Sequence, residues 1–239
     1  TAVAISTAME GGVIPFGDGQ GMLNLIREIG KGSYLGRIIG NGAGFTGKAL
    51  GVTRVAVVKN QAIPAYDPRA VKGVGVTYAT TPMGADHTAG YSVTANILKV
   101  GGDVGPLEKE GNVDLSRNLQ IATASIDSLG LCLFVAFGVL DKPEVYQAMI
   151  DMIDAKNGPD AVKDDIVELG KFVLSTERKF NEAAGFTKAD DRLPEFFEEP
   201  VPPHNTTWDF TGEELDDVFN FVQEKNDYGR VENREMQYV

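Results

Sequence analysis

The sequence predicts an all-α, multihelical protein with at most a minor strand pair. Three observations carry this expectation. Apolar residues recur at helical spacing along most of the chain. Capping residues stand where those periods begin and end. One stretch alone, RVAVVKNQAI (54–63), reads as a strand, so the alternation of strands and helices behind a parallel sheet is missing.

Taken in order, TAVAISTAMEGG resembles the interior of an amphipathic helix, which suggests a chain cut from a longer protein. Asp18 N-caps GQGMLNLIREIGKG, where Met22, Leu23, Ile26 and Ile29 share a face, and Gly30 and Gly32 end it. SYLGRIIGNGAGFTGKALG is rich in glycine and is expected as short turns. In AYDPRAVKGVGVTYA, Asp67 is placed to cap a helix with Pro68 at its first position. SRNLQIATASIDSLG is a helix ending near Gly130, and the uniformly apolar LCLFVAFGVL after it is expected in the central core. Pro143 opens PEVYQAMIDMIDAKNG. In DDIVELGKFVLSTERKFNEAAGF the residues Ile166, Leu169, Phe172, Val173 and Phe180 fall at helical spacing, with Gly185 as C-cap. Residues 187–211 carry four prolines and read as loop. Thr211 and Glu214 then form a capping box ahead of ELDDVFNFVQEKN.

Composition narrows the function. The net charge is −12, and from Asn181 onward there are 15 Asp and Glu against 5 Lys and Arg, so a phosphate backbone would be repelled and nucleic-acid binding is not expected. No apolar stretch reaches the roughly 20 residues of a membrane span, and no leader pattern opens the chain. One cysteine forbids an internal disulfide framework and suits a reducing, cytoplasmic setting. With Cys132 and two histidines, His87 and His204, a metal site must lean on carboxylates, a cofactor or other sequence.

Three motifs bear on chemistry. GAGFTGKA (42–49) matches the start of a phosphate-binding loop, but Ala49 stands where a magnesium-binding hydroxyl belongs and no strand leads into it, so a turn between helices is the better reading. His87, in TTPMGADHTAGY, lies among small residues after Pro82 and Gly84. It is either a satisfied turn residue or a proton donor and acceptor reaching a cleft. His204, in PPHNTTW, reads as a loop residue. In DSLGLC (127–132), Asp127 closes a helix, Gly130 permits a sharp turn and Cys132 begins the next segment. Local chemistry favours a packed thiol, because free Cys is among the most buried residue types.

DSLGLC, AYDPRAVKG (65–73), GADH (84–87) and ERKFNEAAGFTKADDRLP (177–194) occur together and in this order. That combination resembles the C-terminal half of the tungsten-containing aldehyde ferredoxin oxidoreductases, over nearly the whole chain. The resemblance implies two helical pieces, residues 1–75 from a middle domain and 76–239 a C-terminal domain, with a β-rich cofactor domain upstream. It implies tungsten held between two pterin dithiolenes, with molybdenum as the alternative metal, beside a [4Fe–4S] cluster. It implies oxidation of an aldehyde, with ferredoxin or a similar protein taking the electrons, and it leaves room for a homo-oligomer. On this chain it makes Asp127, Gly130 and Leu131 a pterin-contacting turn, Cys132 the fourth cluster ligand and His87 the active-site histidine. The family's other cluster cysteines lie upstream, so the chain alone is expected to be inactive. Met83 and Ala89 replace basic residues four before and two after the histidine, which leaves the substrate open. Related tungstopterin sites reduce activated carboxylates or aromatic thioesters. A helical binding module without redox chemistry is the reading from another class.

Overall fold

The computed structural model describes residues 1–159 and 166–223. Four short helices come first: α1 (Ala2–Glu10), α2 (Gly19–Lys31), α3 (Tyr34–Gly40) and α4 (Ala43–Leu50). Asp18 caps α2 by accepting from the Gly21 amide at 2.8 Å, and Gly32 ends it in the left-handed conformation at φ 65°. Ser33 then caps α3. Ala4, Ile5, Ala8, Leu25, Ile39 and Ala43 form the buried core of this layer.

Two expectations change here. The glycine-rich stretch forms two helices, α3 and α4, because its glycines lie at close contacts. A Cβ at Gly36 would collide with the Glu28 carbonyl, and one at Gly47 with the Val55 side chain. GAGFTGKA is therefore helical, and its amides serve α4 instead of cradling phosphate. In α2 it is Leu25 that faces inward, since α3 folds back over the Glu28–Ile29 side, while Met22, Leu23 and Ile26 are exposed.

A two-residue antiparallel hairpin, β1 (Val57–Val58) and β2 (Gln61–Ala62), joins this layer to the rest. Beyond it come α5 (Lys72–Thr80), α6 (Asn112–Ser128), α7 (Ala136–Asp141), α8 (Pro143–Asn157), α9 (Ile166–Ala183) and α10 (Gly212–Asp216). Asp67 caps a turn rather than α5 itself. Its carboxylate takes the Arg69 amide and guanidinium, and the helix begins only at Lys72. The main core gathers Val74, Val76, Tyr78, Ile121, Leu174, Trp208, Leu215 and Val218 around α5, α6 and α9. A smaller cluster of Val139, Met149, Ile150, Ile153 and Ile166 packs beneath α7 and α8.

The inward face of α9 is rotated from its predicted stripe. Gly170 and Leu174 face inward and Phe180 is exposed, because α6 approaches so closely that a Cβ on Gly170 would strike the Ile121 carbonyl. Ser125 Oγ seals that contact with a 2.5 Å bond to the Ile166 carbonyl. The expected capping box is present: the Thr211 amide donates to Glu214 Oε2 at 2.7 Å, and the Glu214 amide to Thr211 Oγ1 at 3.3 Å. The helix it opens stops at Asp216 and continues as a 3₁₀ turn (Asp217–Gln223), and the rest of the expected segment lies outside the described residues.

Candidate cofactor-facing site

Two turns carry the residues singled out from the sequence. The first ends α6. The Leu131 amide bonds the Ile126 carbonyl at 3.1 Å and the Gly130 amide bonds the Asp127 carbonyl at 2.9 Å, with Gly130 at φ +74°. This paired 6→1 and 5→2 arrangement is the Schellman motif, and it needs a residue that tolerates positive φ. Leu131 packs down against the cluster under α7, while Cys132 is exposed and opens a 3₁₀ turn, Leu133–Val135. The apolar run after Gly130 is thus not central core. The motif turns it along the surface, where Ala136 and Val139 point inward and Phe134 is 78% exposed. The packed reading of the thiol gives way with it.

The second turn follows α5. Asp86 accepts from the Thr88 amide and hydroxyl at 2.8 Å each, which fixes the 3₁₀ turn Thr88–Gly90 just past His87. The His87, Tyr66 and Tyr91 rings form a triangle, with the imidazole centroid 5.4 and 5.6 Å from the two phenol rings and those rings 6.0 Å from each other. Its Nδ1 is enclosed, has no hydrogen-bond partner among the described residues, and stands 3.9 Å from the Asp86 carboxylate. The hydroxyls of Tyr66 and Tyr91 share a 2.7 Å bond. Burial and that bond push the Tyr91 hydroxyl up to about 12, so it stays protonated at neutral pH.

A strip of rings joins the two turns. Tyr91 meets Phe137 edge-on at 6.2 Å, and Phe137 stacks on Phe134 at 6.1 Å, two residues beyond Cys132. Carboxylates run beside it. Desolvation first, and Asp86 second, raise the Asp127 carboxyl above its ordinary range; desolvation and then Asp127 raise Glu177 on α9 in turn. The structure therefore links His87 to the segment after Cys132 through successive ring contacts, and leaves His204 exposed on the loop ahead of Trp208.

Sequence reasoning passed over Tyr66, Tyr91, Asp86, Phe137 and Glu177. Only AYDPR and the Asp-x-Thr turn pattern at 86–88 gave a local hint.

The donor set fits one corner of a cofactor site. No three His, Cys, Asp or Glu residues converge to hold a metal ion among the described residues. An exposed thiol on a rigid turn fits a single thiolate contributed to a cluster whose other ligands come from elsewhere.

Together these features define a helical module with an exposed cysteine on the turn after its α6 helix and a histidine packed against two tyrosines on the turn after α5. Residues 4–223 match the family described as aldehyde ferredoxin oxidoreductase, domains 2 & 3, and the chain belongs to that family. It is 34% identical over 181 residues to a tungsten-containing aldehyde ferredoxin oxidoreductase of Pyrococcus furiosus, covering 74% of this chain and 29% of the relative. The Pyrococcus horikoshii protein of the same name is 34% identical over 78% of the chain and 31% of the relative. That of Thermococcus kodakarensis is 36% identical over 61% and 24%. The chain thus spans about a third of the length of these relatives. Among the described residues, no helix is long and apolar enough to cross a membrane.

Proposed function

We propose that the full-length protein is a cytoplasmic tungstopterin oxidoreductase, with molybdenum as the alternative metal, that oxidises aldehydes to carboxylic acids. An aldehyde and water give the acid, two electrons and two protons, and ferredoxin takes the electrons. When bound, tungsten or molybdenum with its pterins and a [4Fe–4S] cluster would supply the redox chemistry. This chain supplies positioning and proton handling. Asp127 and the turn through Leu131 would hold one pterin, Cys132 would give the cluster one thiolate, and His87 would take a proton from the reacting water or orient the substrate. Tyr66 and Tyr91, bonded to each other, pack together against the imidazole. Residues 1–239 alone are expected to be inactive, because one thiolate cannot supply four ligands.

The observation that supports this reading is the ring strip, which runs from His87 through Tyr91 and Phe137 to Phe134, two residues beyond Cys132. Two substitutions in the full-length protein test it. Cys132→Ser is expected to lower cluster iron, read by iron analysis and visible absorption. His87→Gln is expected to lower kcat for viologen-linked aldehyde oxidation by about 100-fold. Unchanged iron in the first variant would overturn the cluster assignment.

A further inference from the structure

Lys59 is buried and charged, and the chemistry described above does not use it. It sits at the hairpin tip with φ 49°, followed by Asn60 at φ 65°, so two non-glycine residues occupy the left-handed region in succession. Its side chain is 4% exposed. The ammonium donates to the Ala79 and Thr81 carbonyls at 3.3 and 3.2 Å and pairs with Asp191 at 2.5 Å. All three of its hydrogens are thereby engaged. Asp191 is held in turn by Arg178 at 3.1 Å. Burial pulls the Lys59 ammonium below its ordinary range, opposed by Asp191. Ending the last turn of a helix does not need a buried charge, since glycine or water serves. What the ammonium adds is direction, because it ties the end of α5 to the hairpin and to the loop after α9.

The segment leaving that helix end carries His87, and it is held along its length. Asn181 Nδ2 donates to the Pro82 carbonyl at 2.7 Å. Gln61 Nε2 donates to the Ala85 carbonyl at 3.1 Å, and the Ala85 amide meets the Val58 carbonyl at 3.4 Å. Gly84, at φ +94°, lies so close that a Cβ there would stand 2.8 Å from the Val58 carbonyl. The loop is thus pressed against the hairpin, with three of its carbonyls held by side chains from outside it.

We infer that Lys59 is a positioning residue for His87, with Gln61 and Asn181 as its auxiliaries and the hairpin as the mould that sets the imidazole's place. The catalytic part of this inference rests on the function proposed above; the positional part does not. The groups facing His87 are Asp86, Tyr66 and Tyr91, and none of them touches Lys59, so an effect of Lys59 on the imidazole must pass through the loop.

The test uses full-length protein labelled at histidine Cε1, with the His87 signal identified by its loss in His87→Gln. Lys59→Met is expected to displace the His87 Cε1–H resonance by more than its linewidth while the His204 resonance stays in place. It is also expected to lower kcat about tenfold with KM within about twofold, and Lys59→Arg to restore most of both. Gln61→Ala and Asn181→Ala, which remove one bond each and no charge, should move the same signal by less, and they keep the test decisive if Lys59→Met does not fold. A His87 resonance unchanged in every variant that folds would overturn the inference, whatever happens to melting temperature. If the wild type oxidises no aldehyde, the function proposed above fails, and the resonance still decides the role of Lys59.

Discussion

The helical layer α1–α4 and the layer behind His87 solve the same packing problem differently. In the first, the buried hydroxyls are satisfied close to home. Thr7 bonds the Val3 carbonyl one turn back, and Thr46 bonds the Gly42 carbonyl in the same way at 2.8 Å, with a longer 3.3 Å contact to the Ile38 carbonyl of α3. The rest of that core is small and aliphatic. In the second, buried polar side chains bond across elements. Thr77 on α5 meets Ser116 on α6 at 2.8 Å, and Gln120 reaches Thr80 at 3.0 Å. Asn96 meets Asn112 at 3.0 Å, and Asn112 ties down the Gly105 and Glu108 carbonyls. Apolar packing tolerates small shifts of one helix past another, whereas cross-element hydrogen bonds admit one register. The difference teaches that directional contacts are concentrated where a side chain has to be aimed.

The largest expected break in this contrast is Asn112→Leu. It strands one buried Asn96 hydrogen and removes the partner of two part-buried carbonyls, so a loss of about 3 kcal/mol should appear in urea unfolding. Ile5→Val in the first layer should cost about 1 kcal/mol in the same measurement. Equal losses from the two would erase the distinction. The smallest effect sharpens it at the site edge. Because the folded Asp127 carboxyl is raised above its ordinary value, its ionised form burdens the fold at neutral pH. Any stability tied to its protonated form is fully present below the ordinary carboxylate range and is lost as pH rises through the raised value. Asp127→Asn should therefore melt slightly higher than wild type at pH 7, with the gap closing as the pH falls to about 4. A gap independent of pH would detach the effect from titration.

Much of the frame was legible from local chemistry. Asp18, Pro143, Gly130 and the Thr211–Glu214 pair mark real helix ends, since a cap is decided by a few neighbouring atoms. What was not legible depends on distant partners. The turned face of α9 follows from Gly170, and a missing side chain leaves no hydrophobic signal. The exposure of Phe134 follows from the turn that Gly130 makes, which an apolar run conceals. At the site, the motif residues stood out, but the pairing of Tyr66 with Tyr91 and the burial of Lys59 arise only when separate segments meet.

The Schellman turn at Gly130 has one more consequence. Between Asp127 and Cys132 the chain is clasped by two main-chain bonds that no side chain supplies. The spacing between carboxylate and thiol therefore behaves like a ruler cut into the backbone. The exposed side chain at 128 can change without resetting it, while a single added methyl at residue 130, where φ is +74°, would warp the scale.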